Sequence, residues 1–204
     1  MISQKIILKE LIDKDKKLKK ILINSKKCPF LSKPIIKEEV LFYELAQSIV
    51  GQQISAKVAD IIWKRIVSYS DCKKSFLVYI SQSSLEWARE QGLSQRKHEY
   101  IKSIAKKIVS NKLSLKAAKN LSDDDARNFL LSLRGIGPWT AEMFLMFAYK
   151  RLDVFSIGDI ALRRAIAEIY NIDQEDQKEI IKISKRWSPY RSVVCWYLWE
   201  HLGV

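Results

Sequence analysis

Apolar residues recur at intervals of three and four along nearly the whole chain, the spacing that gives a helix one apolar face. Ile6, Ile7, Leu11, Leu18 and Ile21 suit an amphipathic helix of the N-terminal region. Leu41, Leu45 and Ile49 run down one side of EEVLFYELAQSIVGQQ, and Ser55 stands where it would cap SAKVADIIWKRIVSY. The same periodicity predicts helices over LEWAREQ, QRKHEYIKSIAKKIVSN, DDDARNFLLSL, PWTAEMFLMFAYK, IALRRAIAEIY, QEDQKEIIKISKRW and YRSVVCWYLWEHL. Period-two alternation is almost missing; DVFSI, residues 153–157, is the best strand candidate and very short. The predicted fold class is all-α, built from short helices joined by tight turns. CPFLSKP, residues 28–34, is the nearest thing to a Pro-punctuated connection.

Composition narrows the function. The 204 residues are 48% hydrophobic, which excludes a disordered chain, and the formal charge is +13. A basic surface of that size favours polyanions, nucleic acid first and an acidic membrane face second. A Lys- and Ile-rich genome would give the same composition without any such partner. Cys28, Cys72 and Cys195 form no C-x-x-C pair, and with only His98 and His201 beside them a zinc or iron–sulfur site is hard to assemble. Reduced thiols in a cytoplasmic protein are expected. Charges interrupt the N-terminal apolar stretch, which argues against a secretory signal. The longest apolar run, MFLMFAY, is too short to span a bilayer.

The stretch LRGIGPWTAEMF, residues 133–144, holds the strongest local signal. A helix ending at Leu133, a turn through Gly135, Ile136 and Gly137, and a second helix opening with Pro138 describe a helix–hairpin–helix. The glycines permit positive φ and close approach, Ile136 can plug the gap between the helices, and proline suits a first helical turn. Main-chain N–H groups at such a helix start can take a phosphate oxygen. An ordinary helix–helix turn also uses glycine, and these residues alone leave both readings open.

Four segments in order give the hairpin a family context: SIVGQQIS (48–55), GLSQRKHEYI (92–101), LRGIGPWTAEMFLMFA with LDVFSIGDIALRRAI (133–166), and WSPYRSVVCWYLW (187–199). From about residue 35 to the C-terminus the chain resembles the helix–hairpin–helix DNA glycosylases, and within them the AlkA-like 3-methyladenine DNA glycosylase II branch. The resemblance implies two helical lobes meeting at a cleft, one of residues 1–50 plus 151–204 and one of residues 51–150 carrying the hairpin. It implies no separate N-terminal β-domain like that of longer relatives.

Residue by residue, the resemblance places the catalytic carboxylate on Asp159; local sequence by itself favours Asp159 as an N-cap for IALRRAI, and the two roles are compatible. Trp139 falls where strand-cutting relatives carry a Schiff-base lysine. Indole cannot attack C1′, so a monofunctional enzyme is implied. Trp139 and Trp199 match base-pocket tryptophans, although packing in the helix pair would also explain Trp139. Met143 stands where the best-known relative has a tyrosine, a departure that changes the pocket. Gln53 matches the side chain that fills the duplex where the damaged nucleotide leaves; alone, Gln52 and Gln53 read as polar residues ending a helix. Gly135, Ile136, Gly137 and Lys97, with Arg96, are the expected backbone contacts, although Lys97 and Arg96 equally suit a solvated helix face. No cofactor is implied beyond a Na⁺ or K⁺ that carbonyls near Leu131, Leu133 and Ile136 would hold. The resulting expectation is a monomeric hydrolase that acts in base excision repair. It would remove alkylated purines, of the 3-methyladenine and 7-methylguanine type, from duplex DNA. Its competitors are a helix–hairpin–helix DNA-binding protein without catalysis, a glycosylase/lyase for oxidised bases and, more distantly, a membrane-surface binder.

Overall fold

The computed structural model describes residues 3–23, 26–34, 37–68 and 75–203, and every regular element in them is helical. Cys72 lies outside the described residues; Cys28 and Cys195 are buried free thiols, and burial pushes the Cys28 thiol up to about 11. Among the described residues, no helix is long and apolar enough to cross a membrane.

The chain divides into two compact units, Ile35–Phe144 and Met1–Pro34 with Leu145–Val204. The boundaries expected at 51 and 150 are therefore displaced. Helix α3 (Glu38–Gly51) accounts for the first shift, because it packs on α4 (Ala56–Ser68), α5 (Phe76–Gln82), α7 (Gln95–Val109) and α8 (Leu115–Ala118) of the central unit. Its buried residues Leu41, Phe42, Leu45, Ala46, Ile49 and Val50 belong to that core. The remaining helices of this unit are α6 (Leu85–Glu90), α9 (Asp123–Leu131) and most of α10 (Pro138–Phe147). Helices α5 and α8 had no clear periodic signal; each is only one or two turns long. Serine side chains at 75, 84, 94, 114 and 122 cap α5 through α9, and Ser55 Oγ accepts the Val58 N–H at 3.4 Å. Each such cap contributes about 1 kcal/mol.

In the other unit the N-terminal apolar pattern is not one helix. It splits into α1 (Gln4–Lys14), a 3₁₀ turn and α2 (Lys19–Leu22), because Asp15 adopts extended backbone and accepts the Lys17 N–H. Helices α11 (Ile160–Tyr170), α12 (Gln177–Lys185) and α13 (Arg191–Leu202) complete it, with α11 packed against both α12 and α13. Helix α13 buries Val193, Val194, Cys195, Tyr197, Leu198 and Trp199. A helix apolar nearly all round belongs inside its unit.

The strand candidate DVFSI forms no strand. Its backbone finds side-chain and helix partners instead of a ladder: the Val154 N–H donates to Ser192 Oγ at 2.9 Å, and Ser192 Oγ donates to the Val154 carbonyl at 3.1 Å. Arg191 grips Asp153 beside it, Nε to Oδ1 at 2.8 Å. Burial pushes the Asp153 carboxyl up, but hydrogen bonds from Arg191 and Ser188 outweigh it and hold the group below its usual range. This clamp fixes the segment that leads into Asp159.

Candidate active site

In the central unit the hairpin connects α9 to α10. The chain turns as the Ile136 N–H donates to the Leu133 carbonyl at 3.0 Å, with Ile136 buried and α10 opening on Pro138. The two glycines differ. Gly135 has φ +93°, and a Cβ there would lie 2.1 Å from Tyr100 Cδ2. Both its backbone and its neighbour therefore demand glycine. Gly137 has neither constraint: a Cβ there would meet nothing within 4 Å. The expectation that both glycines serve positive φ is corrected to Gly135 alone. Gly137 is exposed where α10 begins, beside N–H groups that lack intrahelical acceptors.

The end of α3 is tied to this hairpin. Gln52 Nε2 donates to the Gly135 carbonyl at 3.0 Å and to Thr140 Oγ1 at 3.1 Å. Lys97 braces the chain internally: its ammonium donates to the Val50 carbonyl at 2.8 Å and the Gln52 carbonyl at 2.7 Å. Burial lowers its pKa below the ordinary lysine value, and a cation suits these helix-end carbonyls. Between these ties Gln53 projects, exposed, with φ +58°. A left-handed backbone at a non-glycine residue costs about 1–2 kcal/mol; it persists here because Gln52 and Lys97 fix the residue before it.

In the other unit the clamped segment 153–158 delivers Asp159, whose N–H donates to the Ser156 carbonyl at 3.1 Å. Asp159 caps α11: Oδ1 accepts the Leu162 N–H at 2.9 Å. The same oxygen takes the Trp199 indole Nε1–H at 3.4 Å. The Trp199 ring in turn stacks on Phe147, centroids 6.0 Å apart and planes 28° from parallel, and Phe147 meets Phe30 edge-on at 4.8 Å. A carboxylate, an indole and a phenyl ring thus stand in a row, with Phe147 still 38% exposed.

The structure therefore brings Asp159 and Trp199 into contact, and places Gln53 and the hairpin glycines on segments joined through Gln52. Trp139 and Met143 belong to the central unit. Trp139 keeps 44% of its surface exposed, so burial in the hairpin does not account for an indole there. Three participants escaped the sequence reading: Gln52, Tyr100 and Phe147. A signal existed for Phe147, which follows Trp139 and Met143 at a spacing of four, the repeat of one helix side. For Gln52 and Tyr100 there was none, since both act on residues distant in sequence.

A sequence model of the HhH-GPD superfamily of base excision DNA repair proteins matches residues 46–189. The chain is 29% identical over 176 residues to a putative DNA-3-methyladenine glycosylase of Bacillus subtilis, covering 83% of this chain and 61% of that protein's length. It superposes on the crystal structure of a DNA-3-methyladenine glycosidase from Bacillus halodurans with a TM-score of 0.81 and 31% identity, over 97% of this chain and 89% of that one. For the 3-methyladenine DNA glycosylase Mag1 of fission yeast, solved in complex with abasic DNA, the TM-score is 0.77 and the identity 27%. That match spans 98% of this chain and 97% of the other. On the extent of these matches, the chain belongs to the HhH-GPD superfamily of base excision DNA repair proteins.

Proposed function

We propose that the protein is a monofunctional DNA glycosylase that hydrolyses the N-glycosidic bond of alkylated purines in duplex DNA. The observation that carries this reading is the contact of Asp159 with Trp199, which holds an anion at the edge of an aromatic surface. Breaking an N-glycosidic bond builds positive charge on C1′ and the ring oxygen of the sugar. Glycoside hydrolysis ordinarily recruits a second carboxyl group to protonate the leaving group. A purine alkylated at a ring nitrogen is already cationic, so it departs with the bonding electron pair as a neutral base. Asp159 then stabilises the oxocarbenium-like centre, water adds to C1′, and Asp159 takes the proton water releases. A fixed charge aimed at developing charge is worth about 3–4 kcal/mol in such sites.

The other residues take supporting roles. The exposed indole of Trp139 offers a π face to a cationic base, a contact worth about 0.5–2 kcal/mol. Trp199, in the unit of Asp159, and Met143, in the unit of Trp139, each offer further surface to a base, and a thioether lies well against a ring. Gln53 fills the duplex after extrusion and bonds the orphaned base. The backbone at Gly135–Gly137 grips a phosphate. Tryptophan at 139, where a lysine nucleophile would permit strand cleavage, limits the reaction to base removal. Main-chain oxygens of Leu131, Leu133 and Ile136 lie in or just before the turn that follows α9; such hard ligands suit a Na⁺ or K⁺ that would rigidify the turn. The relatives named for 3-methyladenine, and the fission yeast complex with abasic DNA, support this substrate and this product. We take the acting species to be a monomer on damaged duplex DNA.

The test is incubation with a methylated duplex, separation of the released bases, and borohydride treatment of a parallel reaction. Release of 3-methyladenine or 7-methylguanine with no covalent adduct is expected. No base release, or a trapped protein–DNA adduct, would overturn the proposal.

A further inference from the structure

We propose that Arg96 and Arg134, both anchored on the ring of Tyr100, form a two-guanidinium clamp for a phosphodiester of the DNA strand that the hairpin grips. Tyr100 is nearly buried, and its ring occupies the space a side chain at Gly135 would need. That fit makes the ring a fixed platform beside the hairpin. Arg96, one helical turn earlier on α7, donates Nε–H to Tyr100 Oη at 2.7 Å, with its guanidinium carbon 5.8 Å from the ring centroid. Arg134, next to Gly135 in the chain, places its guanidinium carbon 5.4 Å from the same centroid.

Both arginines are exposed, and among the described residues neither pairs with a carboxylate. Arg127, Arg163 and Arg191, by contrast, each do. Two uncompensated cations drawn to one ring repel each other, and at an exposed site a ring face offsets this only in part. A phosphate bound by both would offset that repulsion. The guanidinium fork matches two phosphate oxygens. A free arginine side chain carries substantial rotamer entropy, and the platform lowers how much of it binding must remove. The clamp also supplies charge where Lys97, turned inward, does not.

This inference rests on DNA being the ligand, yet it needs no base release. The test is fluorescence-anisotropy titration of an undamaged duplex at KCl concentrations from about 50 to 300 mM, with wild type, Arg96→Gln, Arg134→Gln and the double variant. Each phosphate neutralised contributes about 0.9 to the slope of log affinity against log salt, so the double variant, which empties the clamp, should lose about that much, and each single variant less. Lys185→Gln, which removes one exposed charge on α12, should leave the slope unchanged. In a Tyr100→Phe background, which keeps the ring and loses the hydroxyl, Arg96→Gln should weaken binding less than in wild type. Arg134→Gln should keep its full effect there. An unchanged slope in the double variant, or an equal drop with Lys185→Gln, would overturn the clamp. Loss of base release with these slopes intact would refute the catalytic proposal and leave the clamp standing.

Discussion

Replacing Asp159 by asparagine, serine and alanine separates its two roles, because the three residues differ in capping ability but all lack charge. Asp159 Oδ1 accepts the Leu162 N–H at 2.9 Å, and Leu162 is fully buried. Alanine leaves that N–H without its acceptor and should cost about 1 kcal/mol, the usual loss of a cap. For a chain of this size that lowers Tm by about 2–4 °C. Asparagine and serine cap about as well as aspartate. The lost charge at the helix start costs a further 0.3–1 kcal/mol or so in all three variants. Base release should behave differently: each variant loses the anion and should slow by about 10²–10³-fold, equivalent to about 3–4 kcal/mol of transition-state stabilisation. Thermal melting and single-turnover release of methylated purines, run on the same preparations, read the two effects apart. Rates that follow Tm, with asparagine or serine close to wild type and only alanine impaired, would refute the catalytic role and leave Asp159 a cap.

Three further outcomes are expected. Gly135→Ala should destabilise by about 2–4 kcal/mol, because it adds a strained φ and a collision with Tyr100, whereas Gly137→Ala should melt like wild type but bind duplex DNA more weakly; chemical denaturation and anisotropy read the contrast. Gln53→Gly relieves a left-handed backbone and should raise stability by up to about 1 kcal/mol while slowing release from duplex DNA; slowing without the stability gain would show the backbone is not strained. His98 is buried against Ser83 Oγ at 2.9 Å, and burial first, then the nearby Lys102 charge, lowers its pKa below 6.5. Between that lowered value and about 6.5 the unfolded chain binds more protons, so stability should fall as pH drops through this window, and His98→Gln should flatten the decline measured by denaturant melts.

Helix type and order were legible because a 3.6-residue apolar repeat states which face is buried, as in α3, α7 and α11. The DVFSI segment misled for a physical reason: Val154 and Ser156 are buried and their neighbours less so, but the partners are Arg191 and Ser192 of α13, 38 residues away, and not a second strand. Asp159 and Trp199 were reachable through the family pattern, and the cap at Asp159 through local sequence. The inward bonds of Lys97 were not legible, because a lysine on an amphipathic helix normally faces water and nothing local announces the carbonyls of Val50 and Gln52. Gln52 and Gln53 are adjacent and alike in sequence, yet the structure gives one to the hairpin and leaves the other exposed. Only backbone conformation distinguishes them.

The central claim is that a single fixed carboxylate meets a sugar as it becomes cationic. Its most direct test is the affinity for two duplexes that differ at one position, one with a neutral tetrahydrofuran abasic site and one with a protonated pyrrolidine in its place. Wild type should bind the cationic duplex at least about 10²-fold more tightly, as transition-state mimics do, and Asp159→Asn should lose that preference. Equal affinity for the two duplexes in wild type, or a preference that survives in Asp159→Asn, would contradict the claim.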